Sequence, residues 1–212
     1  MSDPAEERQA MVDEQLAGRG ITDERVLEAM GRVPRELFVG DRDRRKAYRD
    51  MPLRIGHGQT ISQPYMVAVI CQAAEVRDGD SILDIGTGSG YQAAVLAELG
   101  ANVHTIERIP ELAERARRRL ADAGYVNVDV DVGDGSLGLP EHAPYDAIVV
   151  AAAAPAMPES LYEQLRARGR LVVPVGGQEG QRLEVIVRSP EGPAVARSVP
   201  CRFVPLVGAE GF

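Results

Sequence analysis

Residues 56–66 read Gly-His-Gly-Gln-Thr-Ile-Ser-Gln-Pro-Tyr-Met, and residues 84–90 read Asp-Ile-Gly-Thr-Gly-Ser-Gly. The second segment has the make-up of a nucleotide-cofactor turn, because glycines permit a tight bend and let a ligand approach the backbone closely. The first is a hydroxyl-rich loop whose Thr60 and Ser62 can donate to a reacting group. One segment points to a cofactor and the other to a substrate.

The elements around the glycines support this. Ser81–Ile85 is a short apolar run bounded by Arg77-Asp78-Gly79-Asp80 and the glycines, the pattern of a buried parallel strand. Residues 91–99 read as the following helix and residues 102–106 as a second strand, which Glu107 ends. An acid there accepts hydrogen bonds from both hydroxyls of a ribose. Asp84, Gly86, Thr87, Gly88 and Gly90, with Glu107 and its neighbour Arg108, are therefore assigned to cofactor binding. The dinucleotide pattern Gly-x-Gly-x-x-Gly is not met, since the third glycine comes one residue early and Tyr91 stands in its place. A phosphate-cradling Gly-x-x-x-x-Gly-Lys is absent too, Lys46 being the only lysine. S-adenosylmethionine, with a ribose and an adenine but no phosphate, fits best.

Val128–Val132 reads as a third strand ending in Gly133-Asp134-Gly135. Asp134, beside Gly135, is assigned to the adenine amino group, the competing reading being an ordinary Asp-Gly turn. Tyr145–Val150 is a fourth strand and opens into Ala151-Ala152-Ala153-Ala154-Pro155, small residues that leave room at the carboxyl end of the sheet.

The segments 58–66, 83–91, 133–135, 171–176 (Leu-Val-Val-Pro-Val-Gly) and 202–206 (Arg-Phe-Val-Pro-Leu) together resemble the protein-L-isoaspartate O-methyltransferase family, over about residues 12–207. The glycine turn is common to many methyltransferases, whereas the Gln-Thr-Ile-Ser-Gln-Pro loop and the Arg-Phe-Val-Pro-Leu tail are particular to this family. The resemblance implies an α/β, doubly wound, Rossmann-like class I methyltransferase fold with an N-terminal helical extension. It implies transfer of a methyl group from S-adenosylmethionine to the free α-carboxylate of L-isoaspartyl, and in some members D-aspartyl, residues of damaged proteins and peptides, leaving S-adenosylhomocysteine. It places main-chain groups of Ile61, Gln63 and Tyr65 near substrate and cofactor, with Val204, Pro205 and Leu206 lining the peptide site. Ser62 is expected to orient the carboxylate and Thr60 to be a second donor. A cap is the competing role for Ser62, which stands two residues before Pro64, the expected first residue of a helix to Ala74. His57 is given no role.

Charge and composition narrow the partners. A net charge of -8 over 212 residues argues against a nucleic-acid substrate, because phosphate binding wants a basic surface. The first twenty residues are too charged for a signal peptide or a membrane span, and Cys71 and Cys201 read as reduced thiols. A cytoplasmic monomer is expected. The histidines at 57, 104 and 142 are far apart in sequence with no ligand at metal spacing, so no metal site is expected and His104 reads as a satisfied strand residue. No Gly-x-Ser-x-Gly elbow is present, which removes the hydrolase reading. The Arg and Glu residues of 107–119 read as a solvated helix face.

Residues 1–55 are expected to form the helical extension and connector, 56–176 the cofactor core and 177–212 the C-terminal strands of one domain. Within them, 5–17 and 23–30 read as helices, the second capped by Thr22. Residues 34–54 read as an irregular connector with a short helix near 42–48. Strands are expected at 183–188 and 194–204, joined by a turn at 190–193. Two other functions remain open from sequence: a small-molecule O-methyltransferase on the same fold, and a module that binds cofactor or damaged peptide without turnover.

Overall fold

The computed structural model describes residues 3–177 and 179–212. Helix α1 (Pro4–Ala10) is capped by Asp3, runs on through a π-helical segment (Met11–Leu16) and stops at Gly20, whose backbone is left-handed. Helix α2 (Glu24–Arg32) is capped by Asp23, whose Oδ1 accepts from the Arg25 and Val26 N–H groups at 2.9 and 3.4 Å. The sequence expectation of a Thr22 cap fails: Asp23 directly precedes the first helical residue, and its carboxylate also answers the positive end of the helix dipole. The Thr22 N–H donates instead to Gln72 Oε1 at 2.8 Å.

The connector carries two 3-10 turns, Arg35–Leu37 and Asp41–Lys46. The hydroxyl-rich loop that follows begins as a hairpin. Strand β1 (Leu53–Gly56) pairs antiparallel with β2 (Gln59–Ile61), and Gly56, His57 and Gly58 turn between them with φ of 97, 52 and 74°. Helix α3 (Pro64–Ala74) follows with Pro64 in its first turn, as expected.

From here strands and helices alternate: β3 (Ser81–Ile85), α4 (Tyr91–Glu98), β4 (Asn102–Glu107), α5 (Pro110–Asp122), β5 (Val128–Val132), β6 (Tyr145–Val150), α6 (Glu159–Glu163) and β7 (Leu165–Gly177). Strands β8 (Gly180–Ser189) and β9 (Gly192–Cys201) complete a seven-stranded sheet ordered β5-β4-β3-β6-β7-β8-β9. The first five of these strands in sheet order are parallel, while β8 and β9 are antiparallel to their neighbours. Alternation along β3 divides its side chains: Ile82 enters an apolar cluster with Val67, Ile70, Val95 and Leu96, and Leu83 and Ile85 enter another with Tyr145, Ile148 and Leu161. Full burial of each such side chain contributes about 1.5–3 kcal/mol. The chain leaves β3 toward β4 and returns across it to β6, so the sheet order reverses between β3 and β6. Open α/β sheets bind ligands at the carboxyl ends of strands at such a switch point.

Two further expectations change. Strand β9 ends at Cys201, not at residue 204, and the tail crosses back to the end of β6, where the Ala153 N–H donates to Val204 O at 2.8 Å and the Leu206 N–H to Ala153 O at 2.7 Å. Gln181 fixes the crossing, accepting from the Phe203 N–H at 2.6 Å and donating to its carbonyl at 3.2 Å. The arginines of α5 are not merely solvated either, since Arg115 donates to Ile55 O at 3.1 Å and Arg119 to Phe38 O at 3.1 Å. They fasten the connector and hairpin to the core.

Candidate active site

The turn after β3 is tied to β4 through the Ile106 carbonyl, which accepts from the Gly86 and Thr87 N–H groups at 2.9 and 3.3 Å. Gly90 has φ of 90°, and a Cβ there would lie 3.3 Å from Leu120 of α5. The early third glycine therefore serves packing of α4 against α5. Beneath the turn runs a buried polar chain. Thr105 donates to Asp84 Oδ2 at 2.8 Å, so its single hydroxyl proton is used and Thr87 must be the donor in the 2.7 Å contact between the two threonines. Gln92 Nε2 donates to the other Asp84 oxygen at 2.7 Å. Burial pushes the Asp84 carboxyl up to about 6, with Gln92 and Thr105 opposing.

Glu107 is 7% exposed, and each of its oxygens is braced by a backbone N–H: Gly88 to Oε2 at 2.9 Å and Ile109 to Oε1 at 3.0 Å. Both oxygens retain acceptor capacity. Glu107, Arg108, Gly86, Gly88 and Gly135 line one cleft, whose apolar wall is Ile85, Ile106, Ile109, Leu206 and Val207. Gly135 is required by proximity, since a Cβ there would lie 2.7 Å from Ile85 Cγ2. A second space is lined by Ser62, Gln63, Met66, Arg202, Phe203 and Val204, and a third by Ile61, Ser62, Thr87, Ser89 and Gln92. Thr60 and Ala151 border all three. The hairpin, the glycine turn and the tail thus converge on one threonine.

Ser62 is not a cap. Gln63 holds the cap position of α3 without a side-chain bond, and Asp50 accepts from the Tyr65 N–H at 3.2 Å instead. The Ser62 hydroxyl has no hydrogen-bond partner among the described residues. Its carbonyl accepts from Arg35 Nη2 at 2.8 Å.

Of the assigned residues, Thr60, Ile61, Ser62, Gln63, Gly86, Thr87, Gly88, Glu107, Arg108, Gly135, Val204, Pro205 and Leu206 border these spaces. Asp84, Gly90, Tyr65 and Asp134 do not. Asp84 is held beneath the turn by Thr105, and Gly90 closes it, its N–H donating to Thr87 O at 2.8 Å. Tyr65 lies under the Arg19 guanidinium, 3.8 Å from ring centre to Cζ. Asp134 forms the Asp-Gly turn: Oδ1 accepts from the Ser136 N–H and hydroxyl at 2.9 and 2.7 Å, and Oδ2 from the Ala209 N–H at 2.8 Å. Burial acts to raise its pKa, but these donors outweigh it and the net shift is downward.

Sequence reasoning missed Arg35, Asp50, Ile109 and Val207. Arg35 and Asp50 look like any charged residues of the connector, and nothing local distinguishes them. It also mistook His104, whose ring stacks on His142 with centroids 4.0 Å apart and whose buried Nδ1 has no partner among the described residues. Sequence distance is no guide to distance across a sheet.

A braced acid at the end of the second core strand, glycines that admit a ligand and an apolar wall for a purine together suit S-adenosylmethionine. The fold and cleft are those of a class I S-adenosylmethionine-dependent methyltransferase. Residues 6–211 match the model of the protein-L-isoaspartate(D-aspartate) O-methyltransferase family. A protein-L-isoaspartate O-methyltransferase of Gloeobacter violaceus is 55% identical over 92% of this chain and 96% of its own. That of Methanoculleus marisnigri is 53% identical over 97% of this chain and 94% of its own. A solved protein-L-isoaspartate O-methyltransferase superposes with a TM-score of 0.86 at 27% identity, covering 96% of this chain and 67% of that one. A Plasmodium falciparum structure bearing the same family name, in complex with S-adenosyl-L-homocysteine, gives 0.80 at 26% identity, covering 94% and 98%. The chain belongs to the protein-L-isoaspartate(D-aspartate) O-methyltransferase family.

Proposed function

We infer that this chain is a protein-repair methyltransferase acting on the free α-carboxylate of L-isoaspartyl residues, with S-adenosylmethionine as methyl donor. The observation that carries the reading is the convergence of Thr60, Ser62 and the Val204–Leu206 tail on the glycine turn, in a chain of this family. When bound, S-adenosylmethionine supplies an electrophilic methyl on a sulfonium centre. Glu107 would take the ribose hydroxyls, and Ile85, Ile106 and Ile109 would wall the adenine. Ser62 donates to the substrate carboxylate, with Thr60 as the second donor. No general base is needed, because a carboxylate with a reference pKa near 4 is already ionised at neutral pH. The protein's contribution is placement, on the order of 7–11 kcal/mol when two reactants are held in line. A water-poor site would add to this, since a carboxylate and a sulfonium would lose their opposite charges on transfer.

The same reading has the protein acting as a cytoplasmic monomer that leaves nucleic acid alone. A net charge of -8 supports the last point, and no helix among the described residues is long and apolar enough to cross a membrane.

The deciding experiment compares a short L-isoaspartyl peptide with its L-aspartyl twin by labelled methyl transfer. In the aspartyl peptide the free carboxylate sits one methylene further from the main chain, and misplacing a reacting atom by about 1 Å can cost a hundredfold. The isoaspartyl peptide should therefore be favoured at least about a hundredfold in kcat/KM. Equal rates, or rapid methylation of a small acid with neither peptide accepted, would overturn the substrate assignment.

A further inference from the structure

On the sheet face opposite Thr105, away from the substrate hairpin, His104 of β4, Asp131 of β5 and His142 of the 3-10 turn Pro140–His142 come together. One ligand atom from each lies within 4.8 Å of the others. The two rings stack 14° from parallel, with Tyr145 edge-on to His104 at 6.3 Å between centroids. Nδ1 of His104 is buried and unpartnered among the described residues. Such an atom is destabilising unless something binds it, and native proteins rarely leave one so. Asp129, Asp131 and Glu141 place negative charge near His104. A field of carboxylates around two imidazoles, one with an unused buried nitrogen, favours a cation.

Two imidazoles and a carboxylate are the donor set of zinc and its neighbours. We propose that His104, Asp131 and His142 form a binding site for a divalent d-block cation, best matched by Zn2+. His142 is exposed on a one-turn helix, so its ring can splay from the stack to share an ion with His104. The site is structural rather than catalytic. It joins the edge strand β5 and the turn at His142 to β4, the strand whose Ile106 and Glu107 line the cleft. The segment between Asp131 and His142 contains Gly135, which also lines it. An ion held only by the folded chain would stabilise that corner by mass action.

The test uses the full-length, untagged protein after removal of metal by chelation. Titration with Zn2+ should give one ion per chain at micromolar concentration and a rise in Tm. His142→Ala and Asp131→Asn alter surface or half-buried side chains and should fold. Each should lose at least about tenfold in Zn2+ affinity and most of the rise in Tm. His57→Ala and Cys201→Ser should bind as the parent does. No saturable binding overturns the proposal, as does binding that survives both site variants or is lost in Cys201→Ser.

Discussion

The guanidinium of Arg35, with no solvent exposure, donates to the Ser62 carbonyl at 2.8 Å and to the Ala47 carbonyl at 2.7 Å. It also lies 4.8 Å from the ring centre of Tyr91, the first residue of α4. One side chain thus fastens the end of the substrate hairpin to the connector and to the helix that follows the cofactor turn. Burial lowers its pKa to about 10, which leaves it charged at neutral pH. Arg35→Met should lower kcat by more than tenfold, because an untethered Ser62 shifts and misplacement is costly. The Kd for S-adenosylhomocysteine should change less. Arg35→Lys should recover stability but not rate, since a point ammonium cannot hold both carbonyls as the fork does. Normal kcat in folded Arg35→Met would show that the tether is only structural.

Ser62→Ala removes a hydroxyl that has no partner within the described chain. If that hydroxyl donates to the substrate carboxylate, about 1.5–3 kcal/mol of transition-state stabilisation is lost, roughly ten- to more than a hundredfold in kcat. The Tm should hardly move, because the serine caps nothing. A fall in Tm with unchanged kcat would refute the substrate role.

Glu107→Ala should weaken binding of S-adenosylhomocysteine at least about tenfold in a calorimetric titration. It also strips the acceptor from the Gly88 and Ile109 N–H groups, so Tm should fall as well. Glu107→Gln keeps one acceptor oxygen and should lie between the two. Unaltered affinity in folded Glu107→Ala would remove this residue from the cofactor site.

Asp84 supplies a pH dependence of known sign. Its carboxyl titrates at about 6 in the folded chain against a usual 3.8, chiefly through burial. Between those values the native state holds a proton that the unfolded chain has lost. Its contribution to stability therefore falls as pH rises through this window and is flat above it, a change on the order of 2–3 kcal/mol. Asp84→Asn abolishes the titration. The stability difference, parent minus variant, should shrink by that amount between pH 4 and pH 7 in denaturant unfolding. A difference independent of pH would place the carboxyl near its ordinary value.

What depends on near neighbours is legible in the amino-acid order alone. The bounds of α3, β3, β5 and β6 follow from Pro64 and from apolar runs closed by glycine and aspartate, and the structure has them as read. The glycine turn, Glu107 and the hydroxyl pair Thr60 and Ser62 are legible as candidates because they lie in short segments, and the structure has them bordering the same spaces. Packing decided what depends on residues distant in the chain. Only the fold returns Val204 to Ala153, buries Arg35 against Ser62, brings Asp50 to the Tyr65 N–H at the start of α3, and turns Asp134 to the Ala209 N–H. It also stacks His104 on His142 from two segments that nothing in sequence connects. A hydrogen bond or a ligand pair across a sheet is set by strand order and register, and those are fixed by burial of the whole apolar surface at once.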